Sequence, residues 1–238
     1  MALPGVRLAG GRARGIVRFA DDPLDWRGEG PFPAVLSVAS LWWPPQDVDL
    51  DGVAGFAVHG VPTHCEGPRE PRPAIAGLDR DLFREGETVE LNGDRAEVTI
   101  RGVREIHVVT AFLQRRDGRI LLLKRSEKVG SFQGRWAAVS GFLEATEPLE
   151  QAYREIGEEV SLERMALSLR SEGVPVLARS ASTVYIVHPF RFVTRTTRIR
   201  LDWEHTEAEW VRAAELGRRE TVPKLARAWE SVAPPPKS

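Results

Sequence analysis

Between residues 149 and 160 apolar side chains return every three or four positions, at Leu149, Ala152, Ile156 and Val160. This is the repeat of a helix that buries one face. Pro148 suits a first helical turn, and Glu150 favours the positive helix start. Strand patterns dominate around it. Residues 106–113 and 119–125 are mainly apolar runs joined by an Asp117-Gly118 turn, which predicts a central strand pair covered on both faces. Residues 136–140 lead directly into Gly141. Residues 182–193 form a long strand, with Pro189 marking a bulge or an edge. Residues 198–201 read as another short strand, residues 213–216 as a helical turn, and residues 221–232 as a closing amphipathic helix with Pro223 at its start.

The first hundred residues carry shorter runs. Residues 15–19, 34–38 and 53–58 are apolar or β-branched and bounded by Gly and Pro, which predicts strands. Residues 88–91 and 96–100 flank Asn92-Gly93, the signature of a hairpin closed by a two-residue turn. Residues 42–47 look like a strand end entering a short helix. Residues 60–77 are rich in Pro and charge and read as a loop. The hairpin followed by a fresh strand places a domain boundary near residues 102–106, giving domains 1–103 and 104–238.

Composition narrows the class. The 238 residues are 42% hydrophobic and 28% charged, as expected of a soluble globular chain. No apolar run is long enough to cross a bilayer, so no membrane partner is expected. The first residues lack the apolar core of a signal peptide, and Cys65 is the single cysteine, so a reducing cytoplasm fits. Residues 1–103 hold 11 Arg against 16 acidic residues, whereas residues 104–238 hold 22 basic against 18 acidic. That excess of four positive charges favours a polyphosphate and is too weak to imply a nucleic-acid surface.

The chemistry concentrates on the helical stretch. Glu155, Glu158 and Glu159 stand at i, i+3 and i+4, so their carboxylates share a face and repel unless a cation sits between them. Hard divalent cations take oxygen ligands, and Mg²⁺ commonly combines carboxylates, waters and a substrate phosphate. The segment Gly141-Phe-Leu-Glu144-Ala-Thr-Glu147-Pro-Leu-Glu150-Gln-Ala-Tyr-Arg154-Glu155-Ile-Gly-Glu158-Glu159-Val-Ser161-Leu162 resembles the Nudix box. Gly141, Glu147, Arg154, Glu155, Ile156, Glu158, Glu159 and Leu162 fall on the family pattern. Two departures stand out: six residues rather than seven separate Glu147 from Arg154, and Ser161 replaces the last glycine.

The resemblance, over about residues 105–232, implies an α/β fold: a C-terminal α/β/α sandwich beside a smaller N-terminal domain. It implies Mg²⁺- (or Mn²⁺-) dependent hydrolysis of a pyrophosphate linkage in a nucleoside diphosphate derivative or nucleoside triphosphate. Glu155, Glu158 and Glu159 would supply metal ligands or the general base, Arg154 would orient a carboxylate, and Glu144 is a further candidate ligand. Gly141 allows backbone to approach phosphate. Arg125, Lys128 and Arg135 are candidates for distal phosphates, Trp136 and Phe132 for stacking a base, and Glu204 or Glu207 for a further acidic ligand. The partner is then a small phosphoanhydride, and a homodimer is the assembly to consider. The alternative is a Nudix-derived sensor whose shortened box binds without cleaving.

The N-terminal pieces resemble the swivelling, phosphohistidine-carrying domain of the PEP-utilising enzymes, a β/β/α unit. The matching stretches are Gly11-Arg-Ala-Arg-Gly15, Pro44-Pro45-Gln-Asp-Val, Gly55-Phe-Ala-Val-His-Gly, Thr63-His64, Pro73-Ala-Ile-Ala-Gly77 and residues 85–93. The carrier histidine would be His64. The Pro-rich segment after it cannot form the expected helix, which implies a degenerate relative without phosphotransfer.

Overall fold

A computed structural model describes residues 1–20, 34–38, 52–59, 72–144, 147–196 and 198–235. The chain divides into two units, Met1–Arg104 and Glu105–Ser238. The fold is mixed α/β, mostly sheet, with one large sheet in each unit.

The first unit contains β1 (Ala2–Pro4), β2 (Val6–Ala9), β3 (Arg12–Ala20), β4 (Ala34–Val38), β5 (Val53–Val58), β6 (Ala74–Ala76), β7 (Thr88–Asn92) and β8 (Glu97–Ile100). They form one sheet in the order β1-β8-β7-β3-β4-β5-β6-β2. The run β3-β4-β5-β6 is parallel. Such strands bury both faces, and Val17, Val35, Phe56, Ala57, Val58 and Ile75 are fully buried. His59, just after β5, lies 2.7 Å from the buried Ser37 hydroxyl through Nε2, and 3.1 Å from the Leu78 carbonyl through Nδ1. That carbonyl can only accept, so Nδ1 carries the proton and the Ser37 hydroxyl donates to Nε2. The segments 42–47 and 60–71, with His64 and Cys65, lie outside the described residues.

The hairpin forms, but not with the two-residue turn that Asn92-Gly93 predicts. Asn92 pairs with Glu97, and residues 93–96 make the turn. Its left-handed residue is Ala96, at φ +53°. Gly93 is needed for closeness instead, because a Cβ there would overlap the Ala9 carbonyl and the Gly10 backbone.

The second unit contains β9 (Arg104–Gln114), β10 (Ile120–Arg125), β11 (Trp136–Ala137), β12 (Val139–Phe142), α1 (Pro148–Val160), β13 (Leu167–Glu172), β14 (Val176–Ser180), β15 (Thr183–Thr194), β16 (His205–Val211) and α2 (Leu225–Val232). Strands β11-β10-β9-β15-β13 run in that order, with β12 on β9, β14 on β15 and β16 on β10. Alternation along the central strands sends Val109, Ala111, Leu113, Leu121 and Leu123 to one face, against Ala152, Ile156 and Val160 of α1. It sends Phe112, Ile120 and Leu122 to the other, against Leu225, Ala228, Trp229 and Val232 of α2. The sheet is therefore sandwiched between the two helices. No helix among the described residues is long and apolar enough to cross a membrane.

Three local expectations change. Residues 198–201 are not a strand. The Arg200 and Asp202 amides donate to the carbonyls of Val160 and Glu159, at 3.2 and 3.3 Å, so this segment satisfies acceptors that the end of α1 leaves open. Pro189 marks neither a bulge nor an edge. It stands where β15 exchanges β14 for β13 as its partner, a position that needs no ladder N–H. The closing helix starts at Leu225, four residues later than expected, because residues 220–222 pair with Trp136: its amide donates to Glu220 O and its carbonyl accepts from Val222 N, both at 2.9 Å.

Candidate active site

The helix α1 begins where Pro148 suggests, with the Glu147 carbonyl accepting from the Gln151 amide at 3.0 Å. The Glu147 side chain makes no cap and is exposed. From Pro148 to Val160 the helix is continuous, so the shortened box keeps its acidic residues in helical register. The chain leaves through Ser161 at φ +56°, a left-handed position where a Cβ costs about 1–2 kcal/mol and glycine fits. The Ser161 hydroxyl recovers part of this by donating to the Arg200 carbonyl at 3.3 Å. Glycine also loses more chain entropy on folding. Ser161→Gly is therefore expected to raise unfolding free energy by a net amount of about 0.5 kcal/mol. A lower urea midpoint would mean that the hydroxyl bond outweighs the strain.

Glu159 is 2% exposed. Its Oε1 accepts from the Ser140 amide at 3.1 Å, while Oε2 has no hydrogen-bond partner among the described residues. His205 Nε2 lies 3.7 Å from that oxygen and is equally unpartnered; its Nδ1 stands 3.1 Å from Asp202 Oδ1. The 3.7 Å approach is too long for a hydrogen bond. Burial pushes the Glu159 carboxyl well up and, as the largest influence, the His205 imidazole down, both towards the neutral form. Hence we do not count them as an ion pair.

Glu155 lies across Gly141, where any Cβ would overlap its carboxylate. Gln151, one turn earlier and buried, donates from Nε2 to Glu155 Oε1 at 2.6 Å. Burial raises the Glu155 pKa; the Gln151 bond opposes this, and the charges of Glu158 and Glu204 add to it. For both Glu155 and Glu159 desolvation therefore exceeds the like-charge repulsion that helical spacing alone suggests.

Glu155 borders a cavity of about 320 Å³, whereas Gln151, Glu159 and His205 are not among its lining residues. Ser140, Gly141, Glu144, Glu155, Glu158 and Glu204 line it, as do the cations Arg125, Arg179 and Lys224 and the rings of Phe132 and Tyr185. The predicted residues divide accordingly. Arg154 reaches back to Glu144 at 2.6 Å rather than across to the triad. Arg125 lines the cavity, its Nε donating to the Ser131 carbonyl at 3.0 Å. Arg135, Lys128 and Trp136 are not among the lining residues. Arg135 donates to the Thr221 carbonyl at 3.1 Å. Trp136 carries the Arg219 guanidinium on its ring at 5.2 Å, because β11 turns this side chain towards the α2 layer. Glu207 pairs with Lys124 at 2.7 Å, so of the two later glutamates only Glu204 reaches the cavity. Sequence reasoning missed Gln151, His205 and Tyr185. A polar residue one helical turn before Glu155 was the available signal for Gln151; His205 and Tyr185 come from distant strands and carry none.

Among the described residues no three His, Cys, Asp or Glu side chains converge into a ready-made metal cage. Mg²⁺ does not demand one, since it retains waters and borrows substrate oxygens.

The profile of the NUDIX domain matches residues 105–231, just over half of the chain. The chain belongs to the NUDIX family. It is accordingly a pyrophosphohydrolase, from a family that generally uses a divalent metal and acts on small phosphoanhydrides. Solved structures similar to this chain include the MutT protein of Methanosarcina mazei Go1, at 23% identity over 54% of this chain and 92% of that one, with a TM-score of 0.47. The dihydroneopterin triphosphate pyrophosphohydrolase of E. coli is 21% identical over 53% and 94%, with a TM-score of 0.44. A C. elegans Ap4A hydrolase is 13% identical over 54% and 94%, with a TM-score of 0.44. No curated protein matches the chain.

Proposed function

We propose that this NUDIX enzyme cleaves a pyrophosphate linkage in a nucleoside diphosphate derivative or nucleoside triphosphate, with Mg²⁺ or Mn²⁺ held by Glu155, Glu158 and Glu159 and with Glu204 as a fourth acidic group. The observation that carries this reading is that Glu155, Glu158 and Glu204 line one cavity and raise one another's or Glu159's pKa through their charge, with a buried Glu159 oxygen left without a hydrogen-bond partner among the described residues. All these donors are oxygens, the set a hard divalent cation takes. Glu144, held by Arg154, stays a further candidate ligand. The bound cation would neutralise phosphoryl charge and lower the pKa of the attacking water.

The chain's own residues do the rest. Gly141 leaves the room that the Glu155 carboxylate occupies, and Gln151 orients that carboxylate. Arg125, and with it Arg179 and Lys224, brings positive charge to the cavity where phosphate oxygens would lie. A carboxylate of the set takes the proton of the water that attacks phosphorus; the P–O–P bond breaks and the leaving phosphate departs with its electron pair. The test is phosphate or nucleotide release from a panel of nucleoside triphosphates and nucleotide-sugar diphosphates. Turnover is expected with Mg²⁺ and none with EDTA. No turnover on any member of the panel with either metal would sink the reading.

We further propose that residues 1–103 form a degenerate swivelling-type domain that precedes in sequence the catalytic domain of residues 104–238. The parallel run β3-β4-β5-β6 supports this, and the Pro-rich sequence after His64 argues against phosphotransfer. Incubation with PEP or ATP is expected to leave the protein unphosphorylated. Acid-labile phosphate that disappears in His64→Ala would overturn this.

A further inference from the structure

Two chemically different groups of residues line the cavity. One is the carboxylates of Glu155, Glu158 and Glu204. The other is apolar: Ala178, Tyr185, Val187 and Val222 belong to the layer packed under α2, and Phe132 meets Tyr185. A volume of about 320 Å³ is at the lower end of the range for small-molecule sites, roughly 300–1,000 Å³.

Phe132 stands out in this apolar group. Its φ is +53°, a left-handed conformation that a bulky side chain rarely adopts. Several hydrogen bonds hold the turn in that shape. Arg125 Nε donates to the Ser131 carbonyl at 3.0 Å, Gln133 Nε2 to the Val129 carbonyl at 2.7 Å, and the Gly134 amide to the Arg125 carbonyl at 2.9 Å. Backbone strain that the surroundings enforce in this way gathers at ligand clamps. The Phe132 ring belongs to neither apolar core, whereas Phe112, Phe190 and Phe192 are fully buried. It is half-buried at the cavity wall, 6.1 Å from the Tyr185 ring and tilted 60° to it.

We propose that Phe132 and Tyr185 form a stacking seat for the planar base of a nucleotide, and that this seat accepts the four common bases with little discrimination. The inference rests on the reading of the carboxylates as the hydrolytic centre, with the phosphates on Arg125, which lines the cavity and donates to the Ser131 carbonyl next to Phe132. Every base offers a π face, so stacking is tolerant of sequence. Reading a base edge takes paired donors and acceptors, which Asn and Gln supply best for adenine. Among the described residues no Asn, Gln, Asp or His lines the cavity, and its charged lining, Arg125, Arg179, Lys224 and four glutamates, is taken in this reading by the phosphates and the metal. An apolar pocket separates similar ligands by only about 10- to 200-fold.

The test is equilibrium binding of AMP, GMP, CMP and UMP, with ribose 5-phosphate as the base-free probe, by calorimetry in Mg²⁺. In the wild type the four nucleotides are expected within about tenfold of one another, and each about tenfold or more tighter than ribose 5-phosphate. Phe132→Gly removes the ring and relieves the strained φ. It is expected to erase the gap between nucleotides and ribose 5-phosphate without lowering the melting temperature. Phe132→Tyr keeps a ring and is expected to keep the gap. If Phe132 merely covered Tyr185, Phe132→Gly would lower the melting temperature and leave the gap intact, which overturns the proposal. So would a wild type that binds ribose 5-phosphate as tightly as the nucleotides, or one that prefers a single base by more than about 10³-fold, beyond what an apolar seat achieves. Nucleotide hydrolysis is followed in parallel. A persistent gap in a protein that hydrolyses nothing would support the stacking seat while removing the catalytic reading.

Discussion

Replacing Glu159 by glutamine is expected to cut Mg²⁺-dependent turnover by about 10²-fold or more, the loss typical for one electrostatic contributor at a reacting centre, while stabilising the metal-free protein. Glu158→Gln is expected to cost similar turnover and to change stability little. The two differ because Glu159 is 2% exposed whereas Glu158 is exposed to solvent. Burial, ahead of repulsion from Glu155, raises the Glu159 pKa well above the ordinary 4.5. The native state therefore holds this proton more tightly than the unfolded chain. The stability this provides is present below pH 4.5 and is lost as pH rises through the raised native value. His205, with its pKa lowered, titrates in the opposite sense and partly offsets the carboxyl in the wild type. Melting curves in EDTA across this range should show the wild type losing more stability than Glu159→Gln. Parallel curves would mean that the buried carboxyl does not titrate. Mg²⁺ should then raise the wild-type melting temperature more than that of either variant, since a ligand bound only by the native state stabilises it by mass action. Near-wild-type turnover in both variants on a confirmed substrate would remove this helix from the metal site.

Adding a single methyl group at Gly141 should cost about as much. The Cβ of Gly141→Ala would fall on the Glu155 carboxylate, which Gln151 holds in place at 2.6 Å. Gly141 is itself fixed in β12 by pairing with Val109 of β9, so the carboxylate has to move. A shift of about 1 Å at a reacting centre can cost about 10²-fold in rate. If displacement of Glu155 is the cause, Gly141→Ala combined with Glu155→Gln should be no slower than Glu155→Gln alone, because both changes remove the same interaction. Multiplying losses would assign Gly141 a separate task, such as close approach of its backbone to a phosphate.

By itself the sequence determined the elements whose periodicity is local. The stripe Leu149, Ala152, Ile156, Val160 packs against the sheet because a 3.6-residue repeat leaves a helix one place to hide those side chains. The box glycine and the acidic residues were legible for the same reason: their spacing lies within one loop and one helix. What the sequence could not decide were relations between distant segments. Trp136 has the composition of a base-binding residue, yet strand alternation in β11 turns it to the α2 layer, while Phe132 and Tyr185, 53 positions apart, meet at the cavity. Residues 198–202 carry a strand-like pattern, but the open carbonyls at the end of α1 claim their amides. Equal spacing makes Glu158 and Glu159 look alike. Only the packing of Ser140 and His205 around one of them decided that Glu159 is desolvated and Glu158 is not, because burial depends on every element that closes over a group and not on the helix that carries it.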